Sequence, residues 1–329
     1  MELSPESIGR WSDRRILVTG AAGLLGRSLT AELTNRGARV VGIDLAWTAT
    51  ETAEAGALTA VVGDIRDRPL VDRILRDERP DTVIHLAAQT LVGPSVEDPI
   101  ATFSNNVEGS WTVLDACRVA GTVERIVVAS SDKAYGDAGG RPYRETMALR
   151  PDHPYDASKA MTDLLARTYA RTYGLPAAIT RCANLYGGGD LNWSRIVPGT
   201  IRSVLEGEAP VIRSDGTFIR DYLFVRDAAI AVLVLAEAVG RRPEVRGEAY
   251  NFAAGQRLSA VEMAERILRV MDSTLRPRIL GTARNEVPVQ RVSAGRARRE
   301  LGWRPVVGLD AGLAETIAWY RAHLGYAAS

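Results

Sequence analysis

The sequence predicts an α/β protein built on a doubly wound parallel sheet, with a smaller α/β lobe toward its C-terminal end. Three observations predict it. Short β-branched runs alternate with longer amphipathic stretches through the first half of the chain. Each strand run is nearly continuous in apolar residues, as a strand covered on both faces requires. The amphipathic stretches close on glycine, where a helix stops.

The elements follow in order. "RILVTG" (Arg15–Gly20), "ARVVGID" (Ala38–Asp44), "LTAVVGD" (Leu58–Asp64), "TVIHLAA" (Thr82–Ala88) and "RIVVAS" (Arg125–Ser130) read as buried strands. Between them, "LLGRSLTAELTNRG" and "NNVEGSWTVLDACRVAG" read as helices ending at Gly37 and Gly121. A further helix, "YDASKAMTDLLARTYARTYG", leads into the strand "PAAITRC". After Tyr186 the texture changes: "GGGDLNWSR" is loop-like, and the remainder mixes short helices and strands with many arginines. This marks a second lobe, parts of which return to the first.

Composition narrows the class. The chain has 329 residues, 46% hydrophobic and 25% charged, with a net charge of +1. No electrostatic footprint argues for nucleic acid or an anionic membrane. Two cysteines, Cys117 on a predicted helix and Cys182 on a predicted strand, make no disulfide framework and fit a reducing cytoplasm. "MELSPESIGRWSDRR" lacks an apolar signal core. The longest apolar run, Ala228–Val239, is too short to span a bilayer and carries Glu237. The expectation is a cytoplasmic protein.

"VTGAAGLLG" places Gly20, Gly23 and Gly26 between a strand and a helix. The first glycine permits a tight turn, the second lets backbone approach a pyrophosphate at the helix N-terminus, and the third allows close helix–strand packing. Leu24 and Leu25 complete the loop. Asp44 ends the next strand, about 20 residues on, where a carboxylate binds a ribose 2′-hydroxyl. No basic residue follows it in "DLAWTAT", which favours NAD over NADP. Asp64 and Ile65 are expected to flank the adenine, with Leu86, Ala87 and Ala88 lining the cofactor. Glycine-rich turns without a ligand also occur; the Rossmann-type context decides for dinucleotide binding.

"YDASK" sets Tyr155 and Lys159 four apart at a helix start, on one face. An ammonium there stabilises phenolate and lowers the tyrosine pKa toward neutrality. An exposed helix pair shows the same spacing, but Ser131 lies at the end of the fifth strand, about 25 residues earlier, and joins them.

"TGAAGLLG", "HLAA", "SSDKAYG", "YDASK" and "RCANLYGGGD" stand in the order and spacing of the extended short-chain dehydrogenase/reductase (NAD-dependent epimerase/dehydratase) family. "IRDYLFVRDAA", "YNFAAG" and "LGWRP" resemble its C-terminal lobe, so the resemblance covers nearly the whole chain. It implies a Rossmann domain with NAD over 1–186 carrying the catalytic residues, and a nucleotide-sugar-binding lobe over 187–329. It also implies a homodimer built on paired helices, near Asn105–Ala120 and Asp156–Thr172; their apolar faces could instead be buried within one chain. By position, Ser131, Tyr155 and Lys159 are the family's hydroxyl–tyrosine–lysine triad.

Family epimerases typically carry small or neutral residues after the triad hydroxyl, and common nucleotide-diphosphate-glucose dehydratases carry Asp-Glu. Asp132-Lys133 resembles the CDP-glucose 4,6-dehydratases and the inverting N-acetylglucosamine dehydratases; the glycine loop and "IRDYLFVRD" resemble general members more. The implied activity is nucleotide-sugar 4,6-dehydration, with Lys133 as base at C5 and Asp132 as acid at the C6 hydroxyl. Reference pKa values predict an Asp132–Lys133 ion pair, the unreactive form, which burial can reverse. A solvated loop pair is the plain alternative. A 4-epimerase needs neither residue, and a non-catalytic NAD-binding protein needs no triad.

Asn184, Arg195, Arg213, Arg220 and Arg291 are the candidates for substrate binding, the arginines for its diphosphate, with Arg220 foremost. His85 is expected to shape the cofactor crevice, His153 and His323 to lie on the surface. The few His and Cys show no ligand spacing, so no metal is expected.

Overall fold

The computed structural model describes residues 11–47, 57–282 and 287–326. The first ten positions, on which part of the leader reading rests, and Thr48–Thr50 of "DLAWTAT" lie outside them.

Seven strands form one parallel sheet in the order β10-β6-β5-β4-β1-β2-β3. They are β1 (Arg15–Thr19), β2 (Arg39–Asp44), β3 (Leu58–Val62), β4 (Thr82–His85), β5 (Arg125–Ala129), β6 (Ala177–Cys182) and β10 (Ala249–Phe252). Successive side chains on a strand point to opposite faces, and the two cores divide accordingly. Ile16 and Val18 join Ile84, Val127 and Ala178 on one face, against the helices Leu24–Asn35 and Val225–Arg241. Leu17, Val83, Ile126 and Val128 face the other way, against Arg68–Glu78, Gly109–Ala120 and Pro154–Tyr173. The long apolar run thus lies within the Val225–Arg241 helix, which is apolar over most of its length because it is buried nearly all round.

One strand differs from expectation. β3 is the sheet's edge, and its Val62 is 67% exposed, so only part of its apolar run is covered. The chain beyond Tyr186 returns the Val225–Arg241 helix and β10 to the first body. It also builds a three-stranded sheet, β11-β9-β7 (Gln256–Ser259, Ile219–Phe224, Asn184–Tyr186), and pairs β12 with β8 (Arg278–Ile279, Val211–Ile212). No helix among the described residues is long and apolar enough to cross a membrane. Both cysteines are buried.

Candidate active site

The chain order reverses about β1, with β2 on one side and β4 on the other. Open parallel sheets bind ligands outside the carboxyl ends of their strands at such a point. A cleft of about 1650 Å³ opens there, lined from Gly20 to Gln290 by both parts of the chain. One drug-sized ligand occupies ~300–1,000 Å³, so this cleft has room for two.

Gly20, Gly23, Leu24, Leu25, Gly26, Asp44, Asp64, Ile65, Leu86, Ala87 and Ala88 all line it. Gly20 has φ +71°, and a Cβ there would come within 2.7 Å of the Ala87 amide nitrogen. A Cβ on Gly26 would strike the Gly20 carbonyl, so loop and helix meet as closely as they do only through glycine. No side chain caps the Leu24–Asn35 helix at Gly23, which leaves its N-terminal amides for a ligand anion. Asp44 is fixed at the end of β2 by Ala22 N–H (2.9 Å) and Leu45 N–H (2.8 Å), which donate to its two oxygens. Asp64 is gripped by Arg66, whose hydrogen bonds hold its carboxyl below the usual range. These residues fit a dinucleotide: a cradle closed to any Cβ, an uncapped helix end, and a fixed carboxylate.

β5 delivers the polar stretch that follows it. Ser131 caps a short 3₁₀ turn, Asp132–Tyr135, by accepting from Lys133 N–H at 3.2 Å. A buried polar chain anchors the turn. Tyr135 donates to Asn251 (2.7 Å) and accepts from Arg181 (2.7 Å), whose guanidinium forks onto Asp163 at 2.7 and 3.0 Å. Asp163 lies on the Pro154–Tyr173 helix, which opens with Pro at its first turn and carries Tyr155 and Lys159 into the cleft. Lys159 Nζ donates to the Ala129 carbonyl (2.9 Å) at the end of β5.

The electrostatics of this pair differ from expectation. Burial pushes Tyr155 up to about 12, opposed chiefly by its hydrogen bond with Ser131. Burial alone pushes Lys159 down to about 8. The lysine turns its proton to a carbonyl rather than to the phenol, so in this cleft desolvation outweighs the charge effect that spacing suggested.

Lys133 Nζ donates to Asn184 Oδ1 and Gln290 Oε1, both at 3.3 Å. Asp132, 1% exposed, accepts from the Ser131 hydroxyl at 3.2 Å on Oδ1, while its Oδ2 is buried without a partner. The expected ion pair does not form: among the described residues no bond joins the two side chains, and they face different partners. Burial raises the Asp132 carboxyl and lowers the Lys133 amine, each toward its uncharged form.

Asn184, Arg195, Arg213 and Arg220 line the cleft; Arg291 does not. Around it the chain is extended, bridging Ile219 to Val289 and Tyr143 to Val292. Neighbouring side chains there point oppositely, so Gln290 faces the cleft and Arg291 turns from it. Arg195 pairs with the buried Asp190 at 3.1 Å, Arg213 donates to the Ser194 carbonyl, and Arg220 to the carbonyls of Ile219 and Val287. His85 lies beneath the cleft between Thr19 Oγ1 (2.8 Å) and Ser110 Oγ (2.9 Å), pushed down to about 3 by burial and therefore neutral. His153 is half-buried: as the extended residue before the helix, it lines the cleft. His323 is exposed and stacks on Trp319.

Among the cleft residues that sequence reasoning missed are Gln290, His153 and Asp156. It also missed a count: of 41 lysines and arginines only two are lysine, Lys133 and Lys159, and both line this cleft. Arginine does not lose its proton in proteins, whereas a buried lysine does. The only two dissociable side-chain amines of the chain therefore stand in one place.

Comparison with known proteins agrees with this geometry. The model of the NAD dependent epimerase/dehydratase family matches residues 16–253. The dTDP-glucose 4,6-dehydratase of Xanthomonas campestris pv. campestris is 33% identical, with 92% of each chain covered. That of Neisseria meningitidis serogroup B is also 33% identical, with 93% of each covered. Among solved structures, the dTDP-glucose 4,6-dehydratase DesIV of Streptomyces venezuelae, with NAD bound, superposes with a TM-score of 0.85 at 32% identity, covering 94% of this chain and 98% of that one. The UDP-glucose 4-epimerase of Thermotoga maritima, with UDP-glucose, gives 0.85 at 28% identity, covering 94% and 99%. The chain belongs to the NAD dependent epimerase/dehydratase family, and NAD is its cofactor.

Proposed function

We propose that the protein is a nucleotide-sugar 4,6-dehydratase that converts an NDP-hexose to an NDP-4-keto-6-deoxyhexose and water. The observation that carries this reading is Lys133, one of only two lysines, facing the same cleft as Tyr155 and the buried acid Asp132. An epimerase has no use for an acid and a base beyond the triad. The dehydratase names of the relatives at 33% identity support the same reaction.

NAD, held by Gly20, Gly23, Gly26 and Asp44, would supply the hydride chemistry at C4 and C6 of the sugar. The protein does the rest. Tyr155 takes the C4 hydroxyl proton as the phenolate, the form it must adopt against the effect of burial, while Ser131 holds the forming carbonyl by hydrogen bonding. The C4 ketone acidifies the C5 hydrogen. Lys133, as the amine, removes that proton and becomes ammonium; Asp132, as the acid, gives its proton to the departing C6 hydroxyl, which leaves as water. As hydride reaches C6, the Lys133 ammonium returns a proton to C5, and the C4 proton taken up by Tyr155 balances the one Asp132 gave up. The substituents of the pair match their roles, since burial favours amine and acid over ammonium and carboxylate. Asn184 and the arginines Arg195, Arg213 and Arg220 line the part of the cleft where the second nucleotide's diphosphate belongs.

CDP-glucose is the favoured substrate over dTDP-glucose, because Lys133 stands where the common glucose dehydratases carry glutamate. A homodimer through the Gly109–Ala120 and Pro154–Tyr173 helices is part of the same reading. Trp111, Met161 and Leu164 there are 46%, 44% and 54% exposed, apolar side chains that such a dimer would cover.

The test is incubation with NAD and CDP-, UDP-, dTDP- and GDP-hexoses in heavy water. Loss of one water with deuterium at C5 is the expected outcome. An isomer of unchanged mass would assign the protein instead to the 4-epimerases, the reading that the Thermotoga neighbour favours.

A further inference from the structure

His85 ends β4, directly before the cofactor-lining segment Leu86–Ala88, yet no step of the reaction assigned above uses it. Its ring is the middle of a buried chain of hydrogen bonds whose directions can be fixed one by one. A backbone carbonyl only accepts, so the hydroxyls of Ser110 and Thr162 (the latter at 3.2 Å) both donate to the Asn106 carbonyl, in the π-helical turn Ser104–Glu108. Ser110 Oγ has then given its proton, and toward His85 Nε2, at 2.9 Å, it accepts. The buried ring is neutral, so a proton on Nε2 makes Nδ1 an acceptor, and Thr19 Oγ1 donates to it at 2.8 Å. Thr19 Oγ1 in turn accepts from the Ala87 amide at 3.2 Å. The opposite tautomer would leave the Thr19 proton without an acceptor among the described residues. It would also bring the Ser110 and Asn106 oxygens together with no proton between them.

The two ends of this chain belong to the two halves of the redox site. At one end, a Cβ on Gly20 would come within 2.7 Å of the Ala87 amide nitrogen, so the amide that Thr19 holds is a wall of the glycine cradle. At the other, Thr162 lies three residues beyond Lys159, on the same face of the helix that carries Tyr155. That helix is tied to β5 through Lys159 and the Ala129 carbonyl, and to β6 through Asp163 and Arg181. The His85 chain ties it to β1 and β4, whose ends carry the cradle. We infer that His85 is a positioning residue of the redox site: held as the Nε2–H tautomer, it sets the cofactor cradle at Gly20 and Ala87 against Tyr155 and Lys159. A neutral imidazole suits this place because one rigid ring donates from one edge and accepts on the other. The inference goes beyond the dehydratase reading and does not depend on it, since an epimerase needs the same alignment for its hydride step.

The chain has three histidines, so nitrogen-15 labelling of their rings reads the tautomer directly by NMR, with no sugar present. The His85 ring, identified by its loss in His85→Gln, should show a protonated Nε2 and an unprotonated Nδ1 with no averaging between them. An Nδ1–H ring, or a ring averaged between tautomers, overturns the inference. Two variants test what the ring does. The amide of His85→Gln again offers one donor and one acceptor, and should hold NAD within about twofold of wild type. His85→Leu offers neither and leaves Thr19 and Ser110 unpaired. It should bind NAD about tenfold more weakly in isothermal titration. Its single-turnover rate of nicotinamide reduction by nucleotide sugar should fall by about the same factor, with KM for the sugar nearly unchanged. A lower melting temperature with wild-type NAD affinity and reduction rate would make His85 a structural residue only, and overturns the inference. If His85→Leu does not fold, Thr19→Val breaks the chain at the cradle end and should weaken NAD binding alike. The NMR and NAD titrations need no sugar, so the two readings fail separately. Loss of the dehydratase reading shows as NAD binding that depends on His85 without loss of water from any sugar.

Discussion

Lys133 Nζ donates to Gln290 Oε1 at 3.3 Å, a bond between positions 157 apart in the chain. It ties the strand-end turn after β5 to the extended segment that also pairs with Ile219. Two amide oxygens, those of Asn184 and Gln290, thus hold one amine, and an amine held by acceptors points its lone pair elsewhere only when it has lost a proton. Gln290→Leu keeps the volume and removes one acceptor. Deuterium incorporation at C5 should fall about tenfold from lost positioning, while NAD affinity stays at the wild-type value. A C5 exchange rate equal to wild type would show that Gln290 does not position the base.

Lys133→Arg separates charge from proton transfer. Arginine keeps a cation of similar reach but does not release its proton. Oxidation at C4 should persist, seen as reduced nicotinamide absorbance on adding nucleotide sugar. Dehydration should fall by about 10²–10⁴, the usual contribution of a general base. Lys133→Ala should behave alike. Undiminished dehydration in either variant would remove Lys133 from the reaction.

How much of this was legible in the sequence depends on distance along the chain. The glycine loop, Asp44, Ser131, Tyr155 and Lys159 reach the cleft as read because each lies within a local strand–turn–helix signal, and the parallel sheet follows from alternation. Gln290 and Arg291 are neighbours whose roles depend on which side of an extended segment faces inward, and that is set by pairing with Ile219 and Tyr143 far away. β3 reads as buried because its residues are apolar, although its edge position is fixed by sheet order alone. The Tyr155 shift was misjudged because spacing reports the neighbouring charge and not the loss of water, which is the larger effect. Asp156 sat in full view inside the motif, but its missing partner becomes visible only when every contact around it is known.

The cofactor loop is testable at Gly26. A Cβ there would strike the Gly20 carbonyl and the Ala21 backbone, groups that cannot step aside. Gly26→Ala should weaken NAD binding at least about tenfold, measured by isothermal titration. Gly308→Ala, where a Cβ meets nothing within 4 Å and which lies outside the cleft lining, is the matched control and should bind NAD normally. Equal affinity in both variants would show that the loop does not cradle the pyrophosphate.

The proposed dimer face can be charged without touching the cleft. Leu164 is 54% exposed on the Pro154–Tyr173 helix and makes no contribution to the cleft lining. Leu164→Glu should convert a dimer to a monomer in sedimentation velocity, because a carboxylate buried between two copies is uncompensated. A wild-type protein that sediments as a monomer at micromolar concentration would dispose of this interface.

His85 links the site's foundation to acid stability. Buried between Thr19 and Ser110, it is pushed down to about 3 from an ordinary 6.5. As pH falls, the unfolded chain takes up this proton before the folded one does. The stabilisation is therefore complete above pH 6.5 and is lost progressively as pH falls toward 3, by about 2 kcal/mol on reaching pH 5. Asp156 and Asp221 work the other way. Each is raised to about 6, so the folded protein binds their protons first and gains stability as pH falls from about 6 to 3.8. Comparing wild type with His85→Gln cancels the carboxyl contribution. Between pH 7 and 5 the wild type should lose more thermal stability than the variant, and equal losses in both would mean that His85 is protonated in the folded protein.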